Sequence, residues 1–310
     1  MNKIVILGGG GFIGSSVADK LLSVGYHVRI FEHPRVIPYR IFQTGESIEW
    51  MTGDFHNSAD VDRALRDTDA VCHLVSSTVP GNSIENINYD IQSNLTPSVQ
   101  LLNSMQVHGI HRIVFISSGG AVYGLPRYLP VDESHPTDPV VPYGINKLGI
   151  EKYIQMFDYL HGITGIVLRV SNPYGARQRP DSGQGVISAF LHRARRNEKL
   201  EIWGDGSVIR DYLYIDDVSD AFLKALAYKG SRRIFNIGSG EGRSLNDIIS
   251  LIESLTNRKL ERNYVSSRPY DVPINILNAS LASEELGWSP SVTLSEGLTK
   301  MLHELDHTLK

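Results

Sequence analysis

Apolar residues along the chain show two alternating textures: compact runs rich in β-branched residues, and longer stretches in which they recur every three to four positions. The compact runs predict strands over 3–7, 27–31, 70–74, 112–117 and 165–170, of the kind buried on both faces in a parallel sheet. Between the first two, Val17, Leu21 and Val24 share one helical face, and Gly25 supplies a C-terminal stop. A further helix is expected to open at Pro142, bury Leu148, Ile150, Ile154 and Phe157, and end by Gly162. Proline suits a first turn because the N–H it lacks would have no partner there. Strand and helix patterns in alternation predict an α/β chain of stacked βαβ units.

After Val170 the texture changes. Residues 172–185 are rich in Pro, Gly and Arg without a clean period, which predicts a long functional loop. Two later apolar runs, 211–215 and 233–237, are expected to add to the sheet or its edge, and the tail from Arg268 is loop-rich, then helical.

Composition narrows the class. A chain of 310 residues with 41% hydrophobic and 21% charged positions reads as an ordinary soluble globular protein. A net charge of -4 gives no reason to expect nucleic-acid or membrane-surface partners. No run approaches the roughly 18–20 apolar residues of a membrane span, and the opening apolar run breaks into glycines with no cleavage site. Cys72, the single cysteine, lies in an apolar run and is expected to be a buried, inert thiol. A cytoplasmic location fits these features.

The candidate chemistry begins at Gly8-Gly9-Gly10-Gly11-Phe12-Ile13-Gly14, which follows the first strand and opens a helix. Gly8, Gly11 and Gly14 suit a tight turn, a close backbone approach to a pyrophosphate, and tight helix–strand packing. The helix N-terminus would then present N–H groups to the phosphates. Glu32 ends the second strand 18 residues beyond Gly14, where a carboxylate accepts ribose hydroxyls and repels a 2′-phosphate. That favours NAD over NADP, with Arg29 and Arg35 nearby as the counter-signal.

Tyr143 is the only tyrosine with Lys four places later, and i,i+4 neighbours share a helical face. A phenol with its usual pKa near 10 is a poor base at neutral pH, and a cation beside it favours the phenolate. Lys147 is therefore expected to lower Tyr143 toward working range while also bonding the nicotinamide ribose.

These motifs, with Gly53-Asp54-Phe55, Asn94, Ser117-Ser118-Gly119-Gly120-Ala121-Val122-Tyr123-Gly124, Asn172-Pro173-Tyr174-Gly175, Arg210-Asp211-Tyr212 and Arg268-Pro269-Tyr270-Asp271, run collinearly over nearly the whole chain. The chain resembles the extended short-chain dehydrogenase/reductase family, and within it the nucleotide-sugar 4-epimerases. The resemblance implies a Rossmann-type doubly wound parallel sheet over 1–171, completed from within 208–238, and a smaller substrate-binding α/β domain mainly over 172–310. It implies NAD along Gly8, Gly11, Phe12, Ile13, Gly14, Glu32 and His33. Asp54 and Phe55 would contact adenine, and Leu74, Val75, Ser76, Asn94, Ser117 and Ser171 would join Tyr143 and Lys147 around the rest of the cofactor. Substrate would meet Thr78, Ser118, Gly119, Asn172 and Tyr143. Arg210 and Arg268 would grip the diphosphate, for which guanidinium forks are well suited, and Asp271 would hold the nucleoside end. A homodimer through paired helices, one bearing Tyr143, is also implied.

One position departs from the family pattern. Gly119 stands where a Ser or Thr hydroxyl usually meets the reacting sugar hydroxyl. Ser118, Thr78 or a water would have to replace it, and Ser118 is counted with Tyr143 and Lys147 as catalytic. Gly119-Gly120-Ala121 also lacks the acids that nucleotide-sugar dehydratases carry there, which disfavours dehydration. Asn275 lies near the place where the family tunes room for an N-acetyl group. Trp203-Gly204-Asp205-Gly206 reads as a turn without chemistry, and His303 and His307 as a solvated terminal helix rather than a metal site. The expected function is NAD-dependent C4 epimerisation of a UDP-hexose or UDP-N-acetylhexosamine. A nucleotide-sugar reductase and a non-catalytic NAD-binding regulator are the alternatives.

Overall fold

The computed structural model describes residues 2–180, 185–268 and 271–307. The first strands in chain order are β1 (Lys3–Leu7), β2 (His27–Glu32), β3 (Ile48–Thr52), β4 (Ala70–His73), β5 (Arg112–Ser118), β6 (Thr164–Val170) and β7 (Asn172–Tyr174). Then follow β8 (Leu200–Trp203), β9 (Ile209–Tyr214), β10 (Ile234–Ile237), β11 (Gly242–Ser244), β12 (Arg262–Val265) and β13 (Ile274–Asn275). Seven of them form an all-parallel sheet in the order β10-β6-β5-β4-β1-β2-β3. This is the Rossmann-like architecture, and its order reverses between β1 and β4, where such sheets open a ligand crevice.

The helices in chain order are α1 (Phe12–Ser23), α2 (Ser58–Leu65) and α3 (Ile87–Asp90), the last running through a π-helical turn at Ile91–Leu95 into α4 (Thr96–Val107). The rest are α5 (Pro142–His161), α6 (Val186–Arg196), α7 (Ile215–Ala227), α8 (Leu245–Thr256), α9 (Ser280–Leu286) and α10 (Leu294–His307). The period of two along β1 builds two cores. Ile4 and Ile6 pack with Val17, Leu21 and Phe222 from α1 and α7, while Val5 and Leu7 pack with Leu65, Leu101 and Ile154 from α2, α4 and α5.

Four departures from the expected pattern have local causes. β3 is an edge strand with Trp50 39% exposed, so it lacks the continuous apolar run of its neighbours. Of the two later strands, β10 completes the main sheet beside β6, but β9 does not join it. β9 instead centres a smaller sheet with β11, β13 and β7. β7 opens the stretch expected to be loop throughout; residues 181–184 of that stretch lie outside the described residues. Val24 is 52% exposed because α1 ends at Ser23 and Val24 caps it from outside the helix.

Candidate active site

The carboxyl edge of the main sheet gathers the glycine turn, the end of β2, the segment after β4 and the end of β5. Gly8 has φ +82°, a conformation that favours glycine, and it lies against the Leu74–Val75 backbone. Gly11 is the N-cap of α1 and has no side chain to cap it, which leaves the first-turn N–H groups of Phe12 and Ile13 to a ligand. A Cβ on Gly11 would find only Gly8 O, at 3.5 Å, so the cradle above the turn is open. A Cβ on Gly14 would collide with Gly8 O and lie 2.6 Å from Gly9 Cα. Gly14→Ala must therefore push α1 off β1. It is expected to cost about 1–3 kcal/mol and to abolish retention of NAD through purification, read by the absorbance of released cofactor; a full complement of retained NAD in the variant would refute this role for the turn.

Glu32 is buried, and its oxygens accept from the N–H groups of Gly10 (2.9 Å) and His33 (3.0 Å). Burial raises its pKa against the pull of those two bonds. Lone pairs remain for ribose hydroxyls. Arg29 does not offer a 2′-phosphate contact: it is buried and committed to Ala64 O (2.8 Å), Arg66 O and Glu49. Asp54 is partly exposed beside His56, and Phe55 is buried against the His73 ring. An open glycine cradle, an uncapped helix start and a strand-end carboxylate fit a dinucleotide.

Lys147 is only 4% exposed; its Nζ donates to Ile116 O at 3.0 Å and lies 5.7 Å from the Tyr143 ring centre. Burial draws the Lys147 pKa down to about 8, although Glu151 and Asp90 both favour its ammonium. Tyr143 does not behave as expected from its neighbour. Burial, reinforced by the Asp90 charge, pushes its pKa up to about 12, while the Ser76 hydroxyl beside it acts in the opposite sense. Burial is the larger cause, and the ammonium that would oppose it is turned to the Ile116 carbonyl.

The hydroxyls around the pair sort themselves by partner. Ser117 donates to Glu151 Oε1 (2.5 Å), so its side chain serves the fold, and only its backbone is left for a cofactor. Thr78 is buried and gives its proton to Asp90 while accepting from Asn94 Nδ2 (3.0 Å). It therefore has no proton to donate to a sugar oxygen, which removes it as a replacement donor. Ser118 has no side-chain partner among the described residues and is partly exposed. The gap at Gly119 has a steric cause: a Cβ there would collide with Leu277 Cδ1 and lie 3.1 Å from Arg169 O. Asn94 accepts from the Ser77 N–H (2.9 Å), tying the π-helical turn to the segment after β4. Ser171 Oγ is buried without a partner among the described residues.

The smaller sheet supplies the other wall. Register pairs Asn172 with Tyr212 and Arg210 with Asn275, and laterally paired residues share a face. Arg210 Nη1 is anchored on Ile209 O (2.9 Å) and Val272 O (2.6 Å), and burial lowers its pKa against the favourable charge of Asp271. Tyr212 OH and Asn275 Oδ1 are buried without partners among the described residues. Asn275 Nδ2 donates to Gly119 O at 3.1 Å, which joins this sheet to the end of β5. Asn172 Nδ2 donates to Asp211 O at 3.0 Å. Trp203, read from sequence as part of an inert turn, lies under the Arg268 guanidinium at 4.2 Å and steadies it. Pro269 and Tyr270, between Arg268 and Asp271, lie outside the described residues. Sequence reasoning missed Asp90, whose only local signal was its i,i+4 spacing from Asn94, and gave no role to Asn146 or Tyr212, although both stand beside residues it singled out.

Among the described residues no helix is long and apolar enough to cross a membrane, and no cluster of three or more His, Cys, Asp or Glu could hold a metal ion.

Comparison with known proteins agrees with this geometry. A protein of Methanocaldococcus jannaschii, named provisionally a UDP-glucose 4-epimerase, is 37% identical over 97% of each chain. The dTDP-4-dehydro-6-deoxyglucose reductase of Escherichia coli is 32% identical over 98% of each. The crystal structure of Thermotoga maritima UDP-glucose 4-epimerase with UDP-glucose superposes with a TM-score of 0.94 at 34% identity, covering 99% of this chain and 100% of that one. The profile of the NAD dependent epimerase/dehydratase family matches residues 4–238, a span that takes in both the glycine turn and the Tyr143–Lys147 helix, and this chain belongs to that family.

Proposed function

We propose that this chain is an isomerase that inverts C4 of a nucleotide sugar, a UDP-hexose or UDP-N-acetylhexosamine, with NAD as its cofactor and Tyr143 as acid and base. The observation that carries the reading is half-buried Tyr143 with buried Lys147 one helical turn on, in a chain that also carries the open glycine cradle at Gly11 and a second sheet bearing Arg210. A regulator that merely sensed NAD would need no second wall of this kind.

NAD, when bound, supplies hydride acceptance and return. The chain's own residues do the rest. Tyr143 takes the O4 proton and gives it back, while Lys147, protonated below about pH 8, holds positive charge beside it. Ser118 supplies the hydroxyl that Gly119 lacks. Arg210 and Arg268 hold the diphosphate as the 4-keto sugar turns, and net redox change is zero. Asn275 Oδ1 is an acceptor that an acetamido N–H would satisfy, which supports an N-acetylated sugar.

The test is purified protein incubated with UDP-glucose and, separately, UDP-N-acetylglucosamine, without added cofactor, with C4 inversion followed by proton NMR. The galacto isomer is expected from at least one. No inversion from either, even with NAD added, overturns the proposal. The reductase relative favours a second reading, exchangeable NAD(P) on the same residues; a cofactor lost on purification would point to it. Ile145, Met156 and Leu160 on α5, with Ile87 on α3, are exposed apolar residues that a second copy would cover, and light scattering should return twice the chain mass.

A further inference from the structure

Asp90 closes α3 with no exposed surface, and its carboxylate meets donors only. The Thr78 hydroxyl and Asn94 Nδ2 (2.9 Å) reach Oδ1, and Asn146 Nδ2 (2.7 Å) reaches Oδ2. Three donors call for an acceptor-only group, since an amide at the same place would set an N–H against another N–H. Asn146 lies on α5 between Tyr143 and Lys147, and Thr78 lies on the segment after β4. A single buried carboxylate thus spans the two elements that frame the reaction.

We propose that Asp90 is a positioning residue of the Tyr143–Lys147 site: its carboxylate ties the Thr78 segment to the helix bearing the pair and places a fixed negative charge facing both. The inference rests on the roles read above for Tyr143 and Lys147. Two consequences follow. First, Thr78 is held as an acceptor toward any sugar hydroxyl, because its own proton is committed to Asp90. Second, the charge sustains the Lys147 ammonium against burial. Glu151, one helical turn beyond Lys147, acts in the same sense, although it is also paired with Arg169. His73, the remaining titratable neighbour of Lys147, is buried against Ser98 Oγ, and burial pushes its pKa down to about 3, so it carries no opposing charge at neutral pH.

The test reads Lys147 directly and needs no turnover. In the full-length protein with 13C-labelled lysine, the Lys147 ε-carbon resonance is identified by its absence from Lys147→Met. Its midpoint is expected near the value of about 8 set by this environment. Removing an attracting charge disfavours the ammonium, so Asp90→Asn is expected to lower that midpoint by about one pH unit. Moving the carboxylate across the same hydrogen bond, in Asp90→Asn with Asn146→Asp, is expected to restore it. A folded Asp90→Asn with an unmoved midpoint overturns the proposal. If the single variant does not fold, the double variant decides: a wild-type midpoint upholds the charge role, and a lowered one overturns it. Failure of wild-type protein to invert C4 would count against the proposed function and leave this titration intact as the test of Asp90.

Discussion

Tyr143→Phe is expected to lower kcat for C4 inversion by about 10²–10⁴-fold, the range supplied by a positioned acid–base group, with little change in nucleotide-sugar affinity. The hydroxyl is the whole of the change, and the ring it leaves is the same, so the variant is expected to keep its packing and its fold. The residues assigned to the diphosphate, Arg210 and Arg268, are anchored on Ile209, Val272 and Trp203 and do not depend on the phenol. Inversion rates by proton NMR, set beside calorimetric binding of UDP-glucose, separate the two effects. Inversion at the wild-type rate would remove Tyr143 from the reaction. The phenol is held up at about 12 before substrate arrives, so at neutral pH it rests as an acid. The base role proposed for it therefore requires charge and contacts around the phenol to change on binding.

Arg169→Ala is expected to destabilise the protein by about 3–5 kcal/mol, the cost of leaving one partner of a buried ion pair alone. Arg169 and Glu151 are 3% and 0% exposed, and they meet through Nη2–Oε2 at 2.7 Å and Nε–Oε1 at 3.1 Å. Arg169 Nη1 also donates to Tyr123 OH (2.9 Å), which donates in turn to Asn236 Oδ1 (2.6 Å). Truncation strands the Glu151 carboxylate with Ser117 as its remaining side-chain donor among the described residues and breaks a chain that runs from α5 through β6 to β10. Urea unfolding of wild type, Arg169→Ala and the apolar pair Glu151→Leu with Arg169→Met checks the account. The double replacement removes both charges, so it should cost clearly less than Arg169→Ala alone. Equal losses would show that packing, rather than the orphaned charge, sets the cost.

The glycine turn was legible because its requirements are local: Gly8 needs its positive φ, and Gly14 leaves no room for a Cβ. The Tyr143–Lys147 step was legible because i,i+4 spacing on a helix is a property of the sequence itself. Its electrostatics were not. A lysine four residues from a tyrosine suggested a lowered phenol pKa, and the structure reverses the sign because burial and Asp90 outweigh an ammonium turned elsewhere. Likewise Thr78 looks available as a hydroxyl donor in the sequence, but in the fold it donates to the Asp90 carboxylate. Trp203 gained a role only when the fold placed Arg268 over its ring.

By itself, then, the sequence determined five strands of the main sheet, the helices that follow the glycine turn and open at Pro142, the cradle at Gly8–Gly14, the acid at Glu32, and the shared helical face of Tyr143 and Lys147. Periods of two and of three to four, together with glycine's backbone freedom, act between near neighbours along the chain. Tertiary structure decided that β9 leaves the main sheet to carry Arg210 and Tyr212 on a second one, and that Leu277 occupies the space a side chain at position 119 would need. It also decided that Asp90 binds Asn146, 56 positions away. Such contacts join residues with no periodic relation, and they exist only once burial has forced donors and acceptors removed from water to find one another.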